Sequence, residues 1–208
     1  MSCKVTVTTE ELLFLAVTME AKYLDYDFYE GIDTFKNQYN QKKRQWLRDL
    51  EEKEILELEG RGRIRLNDEV RELLKTVFFG ESESEIRTKR GIHRFYFLGD
   101  SVTYVRKEGK SIHLIEGNQE QLNQIINRME ALNEVNEKIL IDKTAIDMSQ
   151  IKETILLRNR TVGQTANVQE LIVVNDCYLT SVTEKKAVYL DNESLRYLCR
   201  QILWGGIE

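Results

Sequence analysis

A pattern of strands and turns occurs twice in this chain, and it restricts the possible folds more than any other feature of the sequence. The stretch from 95 to 126 reads FYFLGDSVTYVRKEGKSIHLIEGNQEQLNQII, and the stretch from 171 to 203 reads LIVVNDCYLTSVTEKKAVYLDNESLRYLCRQIL. In both, three apolar segments alternate with a short polar turn and a charged turn. An acid and an asparagine then open an amphipathic segment with helical spacing. Each stretch therefore predicts a β-β-β-α unit.

The spacing between equivalent positions indicates an internal duplication. It is about 76 residues at the first strand, and it shrinks by two or three as the turns shorten. Two such units, at about 92–133 and 168–203, predict one antiparallel sheet whose halves are related by a pseudo-twofold operation. Two unrelated β-meanders followed by capped helices would give a similar pattern, because meanders are common. That alternative stays open at this point.

The segments before the two units complete the predicted repeat. Residues 68–79 and residues 147–158 both carry apolar side chains at helical spacing, so the full repeat is predicted as α-β-β-β-α. Residues 80–91, which precede the first strand, are polar and highly charged. We place a domain boundary there, with a pseudo-symmetric α+β domain at 81–208.

Residues 1–80 have the order of elements found in a winged-helix module. Thr8 and Glu11 form a capping-box pattern ahead of an apolar helix, and a second long helix begins near Asp33. Two short alternating segments around the Gly-Arg-Gly turn at 60–62 predict a hairpin, which would be the wing. The predicted fold is therefore α+β: a winged-helix-like N-terminal region plus an antiparallel sheet from two pseudo-twofold β-β-β-α repeats flanked by helices.

The charge and the cysteine content favour a cytoplasmic binding protein. The formal net charge is −5, whereas general nucleic-acid binders are usually basic. Three scattered cysteines fit neither a disulfide framework nor a metal site, which predicts a reducing compartment. No apolar run of the sequence reaches the roughly 18 residues of a membrane-spanning helix, so we expect no direct insertion into a membrane.

No residue constellation in the sequence indicates catalysis. The only histidines, His93 and His113, lie on predicted strands and lack cysteine or carboxylate partners at metal-ligand spacing. The common nucleophile, phosphate-binding and zinc-protease motifs are absent from the sequence. The glycines at 60–62 lie in a hairpin turn, where glycine supplies positive φ. We therefore expect no enzyme, no catalytic residue, no metal and no cofactor.

A basic cluster in the N-terminal region keeps DNA binding open as an alternative. Residues 36–48 contain five cations and no acid, and the predicted wing adds arginines. The candidate DNA contacts are Lys36, Lys42, Lys43, Arg44, Arg48, Arg61 and Arg63, with Arg65 also in the wing. A basic second helix and a basic wing suit contact with phosphates. Against this, residues 1–80 carry 13 basic and 16 acidic side chains, a net charge of −3, and five glutamates at 51–59 lie beside the cluster.

The layout of the chain resembles that of a known family. The start TTEELLFLA, the two duplicated sheet-and-helix halves and the strand pair FYFLGDSVTYV are similar to the EspG family, and more closely to the EsaE-like proteins of low-GC Gram-positive bacteria. These proteins are cytosolic chaperones of type VII (ESX) secretion, which hold helical substrates before export. The resemblance is one of layout and covers most of the chain.

The resemblance also implies which parts of this chain contact a partner. In the family, the grip is associated with the central sheet, the loop between its second and third strands, and the C-terminal helices. Here the loop maps to residues 106–111, where it is short, and the helix maps to the end of the chain. The implied contact residues are Arg106, Lys107, Glu108, Lys110, Leu195, Leu198, Ile202 and Trp204.

These expectations together describe a cytoplasmic chaperone or adaptor. It would bind a helical secreted protein or toxin, a substrate of a type VII secretion system, and hold it soluble before export, with the export machinery as a further partner. The alternative is a winged-helix DNA-binding transcription regulator with a C-terminal sensing or dimerisation domain. Nucleic acid is the less favoured partner because of the acidic surroundings of the basic cluster.

Overall fold

The α+β class is confirmed by the computed structural model, which describes residues 4–22, 32–89, 91–129, 140–175 and 177–204. The main sheet has ten strands, and a separate hairpin has two. Every pairing for which a register is defined is antiparallel. The large antiparallel sheet that the sequence predicts is therefore present.

The N-terminal part alternates helices with short strands. Its elements are β1 (Lys4–Thr8), α1 (Thr9–Thr18), α2 (Ile32–Glu52), β2 (Leu56–Glu59), β3 (Arg63–Leu66) and α3 (Asp68–Phe79). β2 and β3 form the predicted hairpin around a 3-10 turn, in which Arg61 and Gly62 take positive φ values of 69° and 74°. The elements proposed for a wing and its helices are present in the predicted order, and the winged-helix assignment stays a prediction.

The rest of the chain contains two runs of strands, and each run is closed by a helix. The first run is β4 (Ser82–Thr88), β5 (Gly91–Leu98), β6 (Ser101–Glu108), β7 (Ser111–Glu116) and α4 (Gln119–Met129). After β8 (Leu140–Asp142) and two 3-10 turns, the second is β9 (Ile151–Thr161), β10 (Asn167–Val174), β11 (Cys177–Ser181), β12 (Lys186–Leu190) and α5 (Asn192–Trp204). The predicted β-β-β-α units are thus present; residues 130–133, assigned to the first, lie outside the described residues.

Both runs have one strand more than the sequence predicts. The order of the main sheet is β1-β7-β6-β5-β4-β9-β10-β11-β12-β8. Outward from the β4–β9 pair, each run places its strands in chain order, as expected for a duplication. The repeat is therefore β-β-β-β-α, and not the predicted α-β-β-β-α.

The predicted helix at 147–158 is wrong, because most of this segment belongs to β9. Met148, Ile151 and Ile155 are spaced by three and four, which fits a helix. The fully buried positions, however, are Ile155 and Leu157, which follow the period of two of a strand. β9 pairs with β4 on one side and β10 on the other. These long-range hydrogen bonds, which local spacing does not report, decide the conformation.

The prediction that residues 80–91 form a polar connection is also wrong, because this segment contains the central strand β4. Glu83, Ser84 and Glu85 are all buried. Acidic side chains in a polar run usually face solvent, and the sequence gives no local sign of Arg158, which pairs with both Glu83 and Glu85.

The division of the chain into compact units differs from the predicted domains 1–80 and 81–208. The first unit comprises Met1–Glu81 and Phe95–Gly117, and the second comprises Ser82–Arg94 and Asn118–Glu208. β5 contributes residues to both. The chain passes from one unit to the other three times, after Glu81, Arg94 and Gly117. The predicted boundary lies next to the first of these points.

The core of the first unit is organised around α1. Leu12, Phe14 and Leu15 are almost completely buried. Phe14 packs against an aromatic cluster on α2, in which the rings of Phe35 and Trp46 stack with centroids 4.9 Å apart. Each fully buried leucine or phenylalanine contributes about 1.5–3 kcal/mol, so the α1–α2 contact is a major source of stability in this unit.

Glu11 fixes the beginning of α1. Its backbone N–H donates to Thr8 Oγ1 at 3.2 Å, and its Oε2 accepts from the Thr8 backbone N–H at 2.7 Å. The predicted capping box is thereby confirmed. Both carboxylate oxygens also accept from Lys53 Nζ at 2.7 Å, although the Glu11 side chain is buried. One carboxylate therefore serves as a helix cap and as an ion-pair partner.

In the second unit, the carboxylate of Glu85 joins three strands. It accepts from Arg94 of β5 (Nη2 at 2.7 Å, Nε at 2.8 Å) and from Arg158 Nη2 of β9 at 3.1 Å. The side chains of Glu85 and Arg94 are only 1% and 4% exposed. Arg158 Nη2 also donates to Glu83 at 3.0 Å. Because an isolated buried charge is costly, these groups are stable only in this arrangement.

α5 covers the opposite face of β4 and β9. Ser84, which points away from Glu83 and Glu85 because side chains alternate along a strand, donates through Oγ to the Leu203 carbonyl at 2.7 Å. The same Oγ accepts from Asn159 Nδ2 at 2.9 Å. Both faces of the β4–β9 pair are therefore engaged, one by ion pairs and the other by a helix.

Two substitutions of Glu11 separate the cap from the ion pair. Glu11→Gln keeps an acceptor for the Thr8 N–H, so we expect it to lower the free energy of unfolding by about 1 kcal/mol. Glu11→Ala removes both interactions and should cost about 2–3 kcal/mol. Urea titration followed by circular dichroism measures both, and Glu10→Ala in the same turn is the control, with a change within about 0.5 kcal/mol. Equal losses for the two Glu11 variants would show that the cap contributes nothing.

Loss of the buried carboxylate at Glu85 should destabilise the protein strongly. Glu85→Gln removes the buried charge that Arg94 and Arg158 both contact, and breaking a buried pair in this way costs about 3–5 kcal/mol. Arg87 donates to the same carboxylate from a half-exposed position, so the matched variant Arg87→Gln should cost no more than about 1 kcal/mol. Thermal and denaturant unfolding of both variants tests this contrast, and similar losses for the two would contradict it.

Candidate functional site

The predicted partner-binding loop is the tight turn between β6 and β7, in the first unit. Glu108 lies opposite Ser111 in the antiparallel register, so Gly109 and Lys110 alone form the turn. Gly109 takes a positive φ of 58°, which glycine adopts without strain. A two-residue turn of this kind is stiff and continues the twist of its strands, so this loop presents a preformed surface.

The outward-facing charges of this hairpin contact one another. Arg106 Nη2 pairs with Glu108 Oε1, and the other Glu108 oxygen lies 3.6 Å from His113 Nε2. His113 Nδ1 is 2.9 Å from Thr6 Oγ1 on β1. Exposed pairs of this kind contribute at most about 1 kcal/mol, so a charged group of a partner could replace them at little cost.

The four predicted hairpin residues do not share one surface. Glu108 and Lys110 are exposed, and Arg106 and Lys107 are both half-buried. Lys107 differs from the other three in its face of the sheet, because it pairs in register with the buried Ile112. Lys107 therefore belongs to the inner face of the sheet, and the other three form the accessible part of the predicted contact surface.

Some of the residues of α5 that were predicted to contact a partner are buried within the second unit. Leu195 and Ile202 are core residues, and Leu198 and Trp204 are half-buried. Leu195 and Ile202 follow the spacing of an inward-facing helical stripe, so they hold α5 in place and do not belong to its exposed surface. Sequence reasoning missed Tyr197, which lies off that stripe and is 66% exposed. An exposed tyrosine outside the apolar stripe is the signal that could have identified it.

The outer side of α5 lies beside α4. Arg200 Nη2 donates to Asn123 Oδ1 of α4 at 3.1 Å, and both side chains are at the surface. The exposed residues of α5 include Tyr197, Arg200 and Gln201. This part of the second unit therefore offers an aromatic ring within a mainly polar helical surface.

The cations proposed for DNA contact are exposed but do not form one stripe. Lys36, Lys42, Lys43, Arg44 and Arg48 all lie on α2, and Arg61 and Arg63 lie at the hairpin turn. An α-helix turns by about 100° per residue, so the three consecutive cations at 42–44 point in different directions. Lys43 Nζ lies 5.8 Å from the centre of the Tyr39 ring.

The hairpin beside α2 carries acids as well as arginines. Arg65 pairs with Glu59 at 3.8 Å, and Glu51 Oε1 accepts from the Leu58 backbone N–H at 3.3 Å. Carboxylates repel a phosphate that lies within a Debye length of about 10 Å of them, so these acids oppose phosphate binding at the hairpin. The geometry therefore gives DNA binding less support than the composition of residues 36–48 suggests.

A cavity of about 390 Å³ in the first unit is lined mainly by polar and acidic residues of α3 and β6. Its acids include Glu69, Glu72 and Asp100. A hydrogen bond from Lys75 holds the pKa of Glu72 below its usual value. Within the described ranges, no group of three or more His, Cys, Asp or Glu side chains has the geometry to hold a metal ion. The helices in those ranges also include none that is long and apolar enough to cross a membrane.

Comparison with solved structures finds a likeness in fold. No protein family matches the sequence, and no curated protein is similar to it. Among solved structures, the chain is similar to the Mycobacterium tuberculosis type VII secretion system chaperone EspG5, solved in complex with the PE25-PPE41 dimer. The TM-score is 0.63 at 7% sequence identity, and the match covers 97% of this chain and 98% of that chain. The fold is EspG-like. At this identity the likeness concerns the path of the backbone and not individual side chains.

Substitutions at a buried and an exposed position of α5 test which of its side chains pack in the core. Leu195→Ala should lower the free energy of unfolding by about 2–5 kcal/mol, because the side chain is fully buried. Tyr197→Ala, two residues further on, should change it by no more than about 0.5 kcal/mol. Differential scanning calorimetry of both variants checks the contrast. Equal destabilisation would mean that Tyr197 is also packed in the folded protein.

Proposed function

We propose that this protein is a cytoplasmic chaperone or adaptor that binds a helical substrate of a type VII secretion system and holds it soluble before export. The observation that carries the proposal is the likeness of the fold, over nearly the whole of both chains, to a chaperone solved in complex with the PE25-PPE41 dimer. The substrate would be a helical secreted protein or toxin, and the export machinery would receive it.

In this proposal the protein acts by covering a surface and not by catalysis. A stable protein–protein interface buries about 800 Å² on each partner, and aromatic and arginine side chains contribute most at its centre. The accessible residues of the hairpin (Arg106, Glu108 and Lys110) and the outer side of α5 (Tyr197 and Arg200) supply side chains of both kinds. Weak exposed ion pairs such as Arg106–Glu108 can be exchanged for contacts with a substrate.

Affinity capture from native cytosol tests the proposal. The tagged protein should enrich a small helical secreted protein, identified by mass spectrometry, and nuclease treatment should leave the yield unchanged. The triple variant K42E/K43E/R44E should retain that partner, because the exposed cations of α2 are not part of the proposed contact surface.

The DNA-binding alternative predicts the opposite pattern. A transcription regulator would recover DNA, or no partner until DNA is supplied, and the K42E/K43E/R44E variant would lose its DNA affinity. Either result would overturn the chaperone proposal. The specific observation in favour of the alternative is that all five cations on α2 are exposed.

A further inference from the structure

The turn between β9 and β10 is unusual for an exposed part of this chain. Residues 161–169, TVGQTANVQ, form the longest run in the sequence without a charged side chain, although 31% of the chain is charged. Val162 and Val168 are 50% and 51% exposed. We refer to residues 161–169 as the uncharged tip. The next longest uncharged run, residues 12–19, lies in α1 and is mostly buried, so its lack of charge has a packing reason that the tip lacks.

Turn geometry does not account for this composition. Gly163 has a positive φ of 80°, and the Gln164 backbone N–H donates to the Thr161 carbonyl at 3.0 Å. These features require a glycine at one position, but they place no restriction on charge at the others. Most solvent-facing turns are charged or strongly polar because they are hydrated, whereas the centres of protein interfaces are depleted of charge.

The two ends of the tip are held by neighbouring strands. Asn159 and Asn167 face each other in the β9–β10 register, and Thr161 pairs with Ser82 of β4. On the other side, Gln169 Nε2 donates to Thr180 Oγ1 of β11. A surface that is already ordered pays little conformational entropy on binding, so the tip is suited to association.

A half-exposed arginine lies at the base of the tip. Arg160 Nε is 3.3 Å from Glu83 Oε1, and the Arg160 side chain is 50% exposed. Within the described ranges this is its one ion pair. A guanidinium has five N–H donors and binds a carboxylate best with two of them, so Arg160 has donors left for a second carboxylate.

Val168 lies on the same face of the sheet as Arg160. It is opposite Arg158 in the β9–β10 register, and Arg158 and Arg160 are two positions apart on β9, so their side chains point to the same side. The exposed apolar side chain and the exposed guanidinium therefore form one surface. Complementary chemistry would be an apolar side chain close to a carboxylate.

We propose that the uncharged tip and Arg160 form a docking surface for the substrate protein, and that the docked segment has apolar side chains beside an Asp or Glu. This inference rests on the proposed function, since its occupant is the chaperone's substrate. The apolar contact gives affinity, and the Arg160–carboxylate contact selects the acidic flank.

Placing charges on the tip tests the apolar contact. The double variant V162D/V168D should lower the capture of the secreted protein enriched by the wild-type chain by at least about tenfold. The matched control is Val182→Asp in the turn between β11 and β12, where the valine is 57% exposed. It should leave capture within about twofold, and circular dichroism verifies that both variants fold.

Site-specific crosslinking tests direct contact. A photo-reactive benzoylphenylalanine at Gln164 should join the same secreted protein within a segment that contains apolar residues and an adjacent Asp or Glu. The same probe at Thr183, in the neighbouring turn, should give no such product. Arg160→Gln should weaken capture, and Arg160→Lys should restore only part of it, because a lysine cannot make the bidentate contact.

Each outcome decides the proposal. If the wild-type chain captures a helical secreted protein and V162D/V168D captures it equally well, the docking surface is refuted while the proposed function stands. Loss of capture in Val182→Asp as well, or crosslinking from both turns, also refutes a surface confined to the tip. If the wild-type chain captures no such protein, the proposed function fails, and this inference fails with it.

Discussion

The ion pairs of Glu85 are the interaction on which the second unit depends. A carboxylate with 1% of its side chain exposed loses nearly all of its hydration, and this loss costs several kcal/mol unless charged partners replace the water. Arg94 and Arg158 supply those partners from β5 and β9. A shift of β4 by one residue would turn Glu85 to the other face, towards the helix that covers Ser84. The buried charges therefore fix the register of β4 even if they add little to the net stability.

The register of β4 then determines which surfaces of the second unit remain free. Because Ser84 faces α5 and donates to the Leu203 carbonyl, the end of this helix is tied to the centre of the sheet. That orientation directs Leu195 inwards and leaves Tyr197 exposed. On the opposite face, Glu83 holds Arg160 at the base of the β9–β10 turn. Both surfaces proposed for binding in this unit thus depend on the placement of one strand.

Sequence reasoning succeeded where the determinants are local. The capping box of Thr8 and Glu11, the hairpin at 60–62, and the last three strands and closing helix of each repeat all follow from residues close together in the chain. It failed for β4 and β9, whose conformations depend on partners 73 and 75 residues away. The prediction of contact residues on α5 was limited for the same reason. Residue type identified an apolar helix at the C-terminus, but only packing against the sheet shows that Leu195 is buried.

If the proposed function holds, the EspG-like fold and the 7% identity to EspG5 together restrict how this protein can choose its partner. Two chains that share a backbone arrangement and almost no side chains can share a binding geometry, while the chemistry of the contact is specific to each. On that proposal, specificity has to be encoded in side chains and not in the backbone alone. A run of nine uncharged residues on an exposed turn can encode it, since neither the β9–β10 pairing nor the turn requires this composition. If the proposed function holds, transfer of residues 161–169 to another EspG-like protein should transfer part of the preference for this substrate. Transfer of the flanking strands without these residues should not.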